Sequence, residues 1–307
     1  MTRRELLRLA ACAPAASALG LSQSVRRLPI AFSTLGCPKW DWKTIVKNAS
    51  AWGFAAIELR GIQDQIDLPK CPEFSPTRIK ASLQELAAAG LVISDLGASA
   101  QMHEPDPTRR ARNFDEVRRF IDLAHQLKAP YVRVFPDRFV KGEDRSVTFA
   151  RISQGLRELG EYARPAGVTV ILESHGEFRR ASDILPVLEG AKSKNVAFLW
   201  DAYHTSVEGE KPADTFKALG PYTRHVHLKD SVPVTGKSPA ERRYVLIGRG
   251  DVPVQDIVNV LVKHDYKGYY CLEWEKRWHP EIEDPEVAFP HYAKTIRQYL
   301  SKAGFKA

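Results

Sequence analysis

Short apolar runs alternate with longer amphipathic segments along the whole of this chain. LPIAFSTL (28–35), AAIELRG (55–61), LVISDLGA (91–98), PYVRVFP (130–136), VTVILES (168–174), NVAFLWD (195–201), YTRHVHLKD (222–230) and GYYCLEWE (268–275) have the length and the β-branched and aromatic content of buried strands. The segments between them carry helix signals. Asp41 is an N-cap for a helix through Trp52, ended by Gly53, and another helix runs from about Ser75 to Ala89 and stops at Gly90. Asp106-Pro107 opens a long helix to Lys128, with Phe114, Val117, Ile121 and Ala124 at helical spacing. Further helices are expected at 146–163, from Ser182-Asp183, at 212–219, at 253–264 and from Pro285 to Ser301, while 229–250 reads as a long loop. Strict strand–helix alternation implies a parallel sheet, and eight such units imply a closed (β/α)₈ barrel in a single domain. A doubly wound open sheet is the rival, but no Gly-x-Gly-x-x-Gly follows an early strand to support it.

Four of the predicted strands end on chemistry. Glu173, Asp201, His227 and Glu273 sit at the C-terminal ends of the last four runs. Side chains alternate along a strand, so Thr169, Ile171, Glu173 and His175 share a face, as do Ala197, Leu199 and Asp201, His225 and His227, and Cys271, Glu273 and Glu275. If those faces point inward, three carboxylates and an imidazole converge at the barrel mouth, where barrel enzymes carry their active sites. Buried carboxylates need a counter-charge, and a divalent cation supplies it. Any one of these acids alone reads more simply as a capped strand end or a surface ion pair; four together favour one metal ion. Mixed oxygen and nitrogen ligation suits Mn²⁺ first, then Mg²⁺, Co²⁺ or Zn²⁺.

Composition narrows the classes. The chain has 307 residues, a formal charge of +8 and no run of five or six like charges. A solvated basic surface therefore explains the charge better than a nucleic-acid footprint. The N-terminus MTRRELLRLAACAPAASALGLSQS has a twin arginine, Arg3-Arg4, then a modest Ala-rich apolar stretch too short to span a membrane and a small-residue site at Ala16-Ser17-Ala18. It resembles a twin-arginine export signal over residues 1–24, which predicts a periplasmic mature protein spanning 25–307 with no membrane span. Cys37, Cys71 and Cys271 would remain, in no zinc-motif spacing.

Several boxes together resemble the sugar phosphate isomerase/epimerase superfamily, the xylose isomerase-like barrels. They are the strand-five Glu173, Trp-Asp-x-x-His (Trp200, Asp201, His204), His-x-His-Leu-x-Asp (His225, His227, Leu228, Asp230), Leu-Glu-x-Glu (Leu272, Glu273, Glu275) and Ile247-Gly248-x-Gly250-Asp251. The resemblance covers roughly 29–304. It implies a metal held by Glu173, Asp201, His227 and Glu273. It also implies that Glu173 and Glu273 double as an acid/base pair: one removes a carbon-bound proton next to a chelated carbonyl, and the enediolate so formed is reprotonated from the other. The expected activity is isomerisation or epimerisation of a sugar or polyol-like small molecule. A dehydratase acting on an inosose or keto-sugar is the close alternative, and an assembly of several copies is compatible with the sequence.

His204 follows Asp201 on the loop and is expected to contact substrate, as the matching family histidine does. His175, His103, Glu58 and Trp40 are further candidates for substrate contact or pocket wall, against the plainer readings of rim histidine, inert loop histidine, ion-pair partner and packing residue. Lys229 and Asp230 are candidates to orient His227. The chain departs from the ketose 3-epimerases, which place a Glu six residues after the strand-five Glu and an Arg six after the strand-seven His; here those positions are Arg179 and Pro233. Arg179-Arg180 and Arg242-Arg243 are candidates to meet an anionic substrate. Apurinic endonucleases share the barrel, but their trinuclear zinc site needs an Asp-x-His after strand seven, and no histidine lies between His227 and His264. A non-catalytic sugar-binding barrel would not need both Glu173 and Glu273.

Overall fold

The computed structural model describes residues 27–238 and 241–306, so the expected leader lies outside the described residues. Eight parallel strands close into a barrel: β1 (Ile30–Ser33), β2 (Ala56–Leu59), β3 (Val92–Gln101), β4 (Tyr131–Phe135), β5 (Thr169–Glu173), β6 (Val196–Asp201), β7 (Thr223–Leu228) and, after a hairpin, β10 (Tyr270–Leu272). β1 pairs with both β2 and β10, which closes the ring. The outer layer holds α1 (Trp42–Ala51), α2 (Ile79–Ala88), α3 (Pro107–Leu127), α4 (Arg145–Ala163), α5 (Ala181–Ala191), α6 (Ala202–Val207), α7 (Pro212–Leu219), α8 (Val254–Lys263) and α9 (Pro285–Lys302).

Local chemistry sets these boundaries. Asp41, Asp106 and Asp144 each accept a backbone N–H of the first turn, from Thr44, Arg109 and Ser146, all at 2.8 Å. Outward-facing strand residues such as Phe32, Ile57, Val170, Leu172 and Phe198 pack under the helices in one continuous core. Inward-facing Ala31, Ala56 and Cys271 form a small separate cluster, as do Ile171, Ala197 and Leu199. The lumen is thus apolar in its lower part and polar towards the strand C-termini.

Two elements differ from the sequence expectation. α6 follows β6 with no loop, because Asp201 ends the strand and also caps the helix, accepting Tyr203 N–H at 3.0 Å. The segment expected as a long loop contains an antiparallel hairpin, β8 (Asp230–Pro233) with β9 (Arg242–Val245). Its organiser is Asp230, whose carboxylate accepts N–H groups from Ser231, Gly248, Gly250 and Val252 at 2.9–3.2 Å. Asp230 therefore secures the returning loop and does not orient His227.

Candidate metal centre

Strand register brings the four strand ends together. Asp201 lies beside His227, and His227 beside Cys271, two residues before Glu273. One donor atom from each of Glu173, Asp201, His227 and Glu273 lies within 4.8 Å of every other, and all four residues are buried. His227 Nδ1 faces Glu273 Oε1 at 3.4 Å and Glu173 Oε1 at 3.8 Å, and makes no hydrogen bond. Three buried carboxylates around an unsatisfied imidazole nitrogen fit a hard or borderline divalent cation.

Each donor is held from behind. Glu173 Oε2 lies 3.1 Å from Arg133 Nε. Lys229 Nζ lies 2.8 Å from Asp201 Oδ2 and 2.8 Å from Glu275 Oε1, and donates to Glu273 Oε2. Lys229 therefore fixes the carboxylates, where the sequence made it a candidate to orient the imidazole. That task falls to Glu58, whose Oε2 lies 2.5 Å from His227 Nε2. Glu58 is fully buried beneath the quartet, so it is not a substrate contact. A register shift in β3 sets Asp95 opposite Glu58, and His225 Nε2 lies 3.3 Å from both carboxylates. His225 is the deeper core histidine its phase suggested. Glu58, His225, His227 and Cys271 form a second group of donors, but its shortest contact joins Glu58 to His227, which makes it a support for the upper site.

The electrostatics follow from this packing. Burial disfavours a charged His227, yet Glu58 and then Glu273 raise its pKa well above the ordinary histidine value. Burial opposes ionisation of Glu173 and Glu273 too, but Arg133 lowers the first, and Lys229 with His227 holds the second well below the usual range. Asp201 goes the other way: burial, with Glu273 and Glu173 alongside, outweighs Lys229 and pushes its carboxyl up to about 7.

The remaining candidates divide. His204 Nε2 lies 3.4 Å from Asp201 Oδ2, and its ring stands edge-on to His175 at 5.4 Å. His175 lies on the rim, 36% exposed, tilted on Phe135 and 3.7 Å from Asp137. His103 is buried, with an unpartnered Nδ1, and Asp137 acts on it electrostatically. Trp40 packs on Trp52 and Phe289 and donates to Glu286 at 3.1 Å, so it belongs to the α1–α9 wall and not to the quartet. The expected anion contacts are already committed: Arg179 and Arg180 pair with Glu208, and Arg242 with Asp251. Arg133 was missed, although an arginine at the centre of the apolar run YVRVF was a legible signal.

A family model for the xylose isomerase-like TIM barrel matches residues 46–299. The chain belongs to that family. It is 25% identical over 234 residues to fructoselysine 3-epimerase of Shigella flexneri, covering 74% of this chain and 83% of that protein. It is 26% identical over 165 residues to inosose dehydratase of Clostridium botulinum, covering 49% of this chain and 53% of that protein. Among solved structures, a xylose isomerase-like TIM barrel protein from Mycobacterium smegmatis in complex with magnesium superposes with a TM-score of 0.64 at 20% identity, over 90% of this chain and 97% of that one.

Proposed function

We propose that this protein is a divalent-metal-dependent isomerase or epimerase of a sugar or polyol-derived substrate. One observation carries the reading: Glu173 and Glu273 each turn one oxygen towards the imidazole of the quartet while a buried cation holds the other. Arg133 and Lys229 keep both carboxylates ionised and fixed in direction, which is what a base acting on carbon requires. When bound by the quartet, Mn²⁺ or a similar ion supplies the Lewis-acid charge that makes a C–H beside a carbonyl acidic. One glutamate takes that proton, and return of a proton to the neighbouring carbon, or to the same carbon from the other side, completes isomerisation or epimerisation through an enediolate. His204 and His175 form the wall above the quartet where substrate hydroxyls would meet the protein. Similarity to an inosose dehydratase favours a second reading, in which the same proton abstraction is followed by departure of a neighbouring hydroxyl.

The test is proton exchange in D₂O with metal-loaded protein against ketoses, inososes and keto-sugars. Solvent deuterium entering a C–H bond is expected, and Glu173→Gln or Glu273→Gln should lower the exchange rate by about 10²–10⁴-fold. A protein that binds sugar and metal but exchanges no proton would be a binding barrel instead. We propose further that residues 1–24 direct export to the periplasm, a reading supported by Arg3-Arg4 and the apolar stretch behind them. Arg3→Lys with Arg4→Lys should leave full-length protein in the cytoplasm, read by N-terminal sequencing of the fractionated cell; unchanged export would refute the signal.

A further inference from the structure

The cations around the mouth are nearly all spent. Arg133 faces Glu173, Lys229 faces three carboxylates, Arg179 and Arg180 face Glu208, Arg242 faces Asp251, and Arg277 faces Asp64. Arg60 is different. It follows Glu58 by two, so it turns to the same lumen side one step nearer the mouth. It is 6% exposed. Its guanidinium donates to Ser99 Oγ at 3.0 Å and, weakly, to the Gly97 carbonyl at 3.4 Å, and no carboxylate among the described residues pairs with it.

Gly97 explains how this cation fits. A Cβ there would lie 2.8 Å from Arg60 Cδ and 2.7 Å from Arg133 Nη2, so two guanidinium side chains share the space that a side chain at 97 would fill. Burial, and then the neighbouring Arg133, lower the Arg60 pKa to about 10. Glu116, which accepts the Ser99 N–H, and then Glu273 and Glu173 act on Arg60 from a distance, none of them in contact with it. Arg133, which shares the space over Gly97 with Arg60, reaches Glu173 at 3.1 Å, so Arg60 stands beside the quartet. A divalent cation on Glu273 and Glu173 would take up their compensation. A buried guanidinium is costly without an anion of its own, and its planar fork matches carboxylate or phosphate oxygens.

We propose that Arg60, with the Ser99 hydroxyl beside it, binds an anionic group of the substrate, a carboxylate or a phosphate, on the β2–β4 side of the metal centre. This rests on the isomerase reading for the rest of the substrate. Anchoring the charged end fixes which carbon lies near Glu173 and Glu273, so Arg60 selects the substrate and does not move the proton.

Calorimetry on metal-loaded protein tests the proposal with D-fructose, D-fructuronate and D-fructose 6-phosphate as probes. At least one anionic ketose should bind about tenfold tighter than fructose, as a hydrogen-bonded charge pair implies. The carboxylate and phosphate arms distinguish the two sources. Arg60→Gln should abolish the preference while bound metal, measured by elemental analysis, stays at the wild-type level. Arg60→Lys should keep part of the preference, and Ser99→Ala should weaken it without removing it. If neither anionic probe binds wild type tighter than fructose, or if the preference survives in Arg60→Gln, the proposal is overturned. Because the readout is binding, absence of deuterium exchange with the preference intact would sink the isomerase reading alone. Exchange into fructose without any preference would sink only the Arg60 site.

Discussion

His227 joins two layers of the lumen, and its ring orientation is set by one residue. Nε2 lies on Glu58, which leaves Nδ1 for the quartet. A carboxylate behind a ligating histidine fixes the tautomer and raises ligand basicity. Glu58→Gln keeps the shape but loses the charge, and should weaken Mn²⁺ affinity about 10–100-fold by titration calorimetry; an affinity within twofold of wild type would rule out the orienting role. Protons compete for the same atoms. Asp201, pushed up to about 7, must shed its proton to ligate, as must His227, so Mn²⁺ affinity should fall about a hundredfold per pH unit below pH 7. His227 is held protonated by Glu58 and Glu273 in the metal-free protein, so affinity should still rise above pH 7. A pH-independent dissociation constant between pH 6 and 8 would contradict both. The quartet was legible in the sequence because a polar residue at the end of an apolar run stands out. Its supports were not: Glu58 to His227 and Arg133 to Glu173 are contacts across the lumen, and spacing along one strand does not reveal them.

Among the elements, the β8–β9 hairpin shows where pattern reading ran out. The strands and most helices announce themselves by period and caps, and Pro212–Leu219 falls where the sequence put it. The hairpin was read as loop because its strands are four residues each and the loop behind them is held by one side chain, Asp230, through N–H groups up to 22 residues away. The same packing forbids a side chain at Gly250, where a Cβ would fall inside contact distance of Asp230 Oδ1 and the Ser231 carbonyl. Hydrogen bonds to a charged acceptor are worth about 1.5–3 kcal/mol each, so Asp230→Ala should cost about 3 kcal/mol or more. That corresponds to a fall of roughly 5 °C in melting temperature. Gly250→Ala should lower it as well, with Tyr244 moving away from Lys229 and Glu275. A melting temperature unchanged in both variants would mean that the hairpin is not held this way.

For the whole molecule, the buried quartet that could hold a metal ion is a cost to the closed barrel. The lumen concentrates Glu58, Asp95, Glu173, Asp201 and Glu273 in buried positions, against Arg60, Arg133 and Lys229. Asp201 shows the sign of the effect. Its folded pKa is raised, so folding favours the protonated form; the penalty is absent below the unfolded value near 4 and complete once pH exceeds about 7. A shift of about three units makes the penalty on the order of 4 kcal/mol at pH 8. Asp201→Asn removes it, so metal-free Asp201→Asn should melt above metal-free wild type at pH 8, and the gap should close as pH falls towards 5. Metal narrows the gap. At a hundredfold excess over its dissociation constant, Mn²⁺ should stabilise wild type by about 2.7 kcal/mol, and chelation should remove the gain. Asp201→Asn should respond to neither addition nor chelation, because one of the four converging donors has lost its charge. Parallel melts of both proteins with Mn²⁺ and with chelator decide the matter. A variant that melts below wild type without metal, or that gains as much from Mn²⁺, would show that Asp201 is kept for the fold and not for the ion.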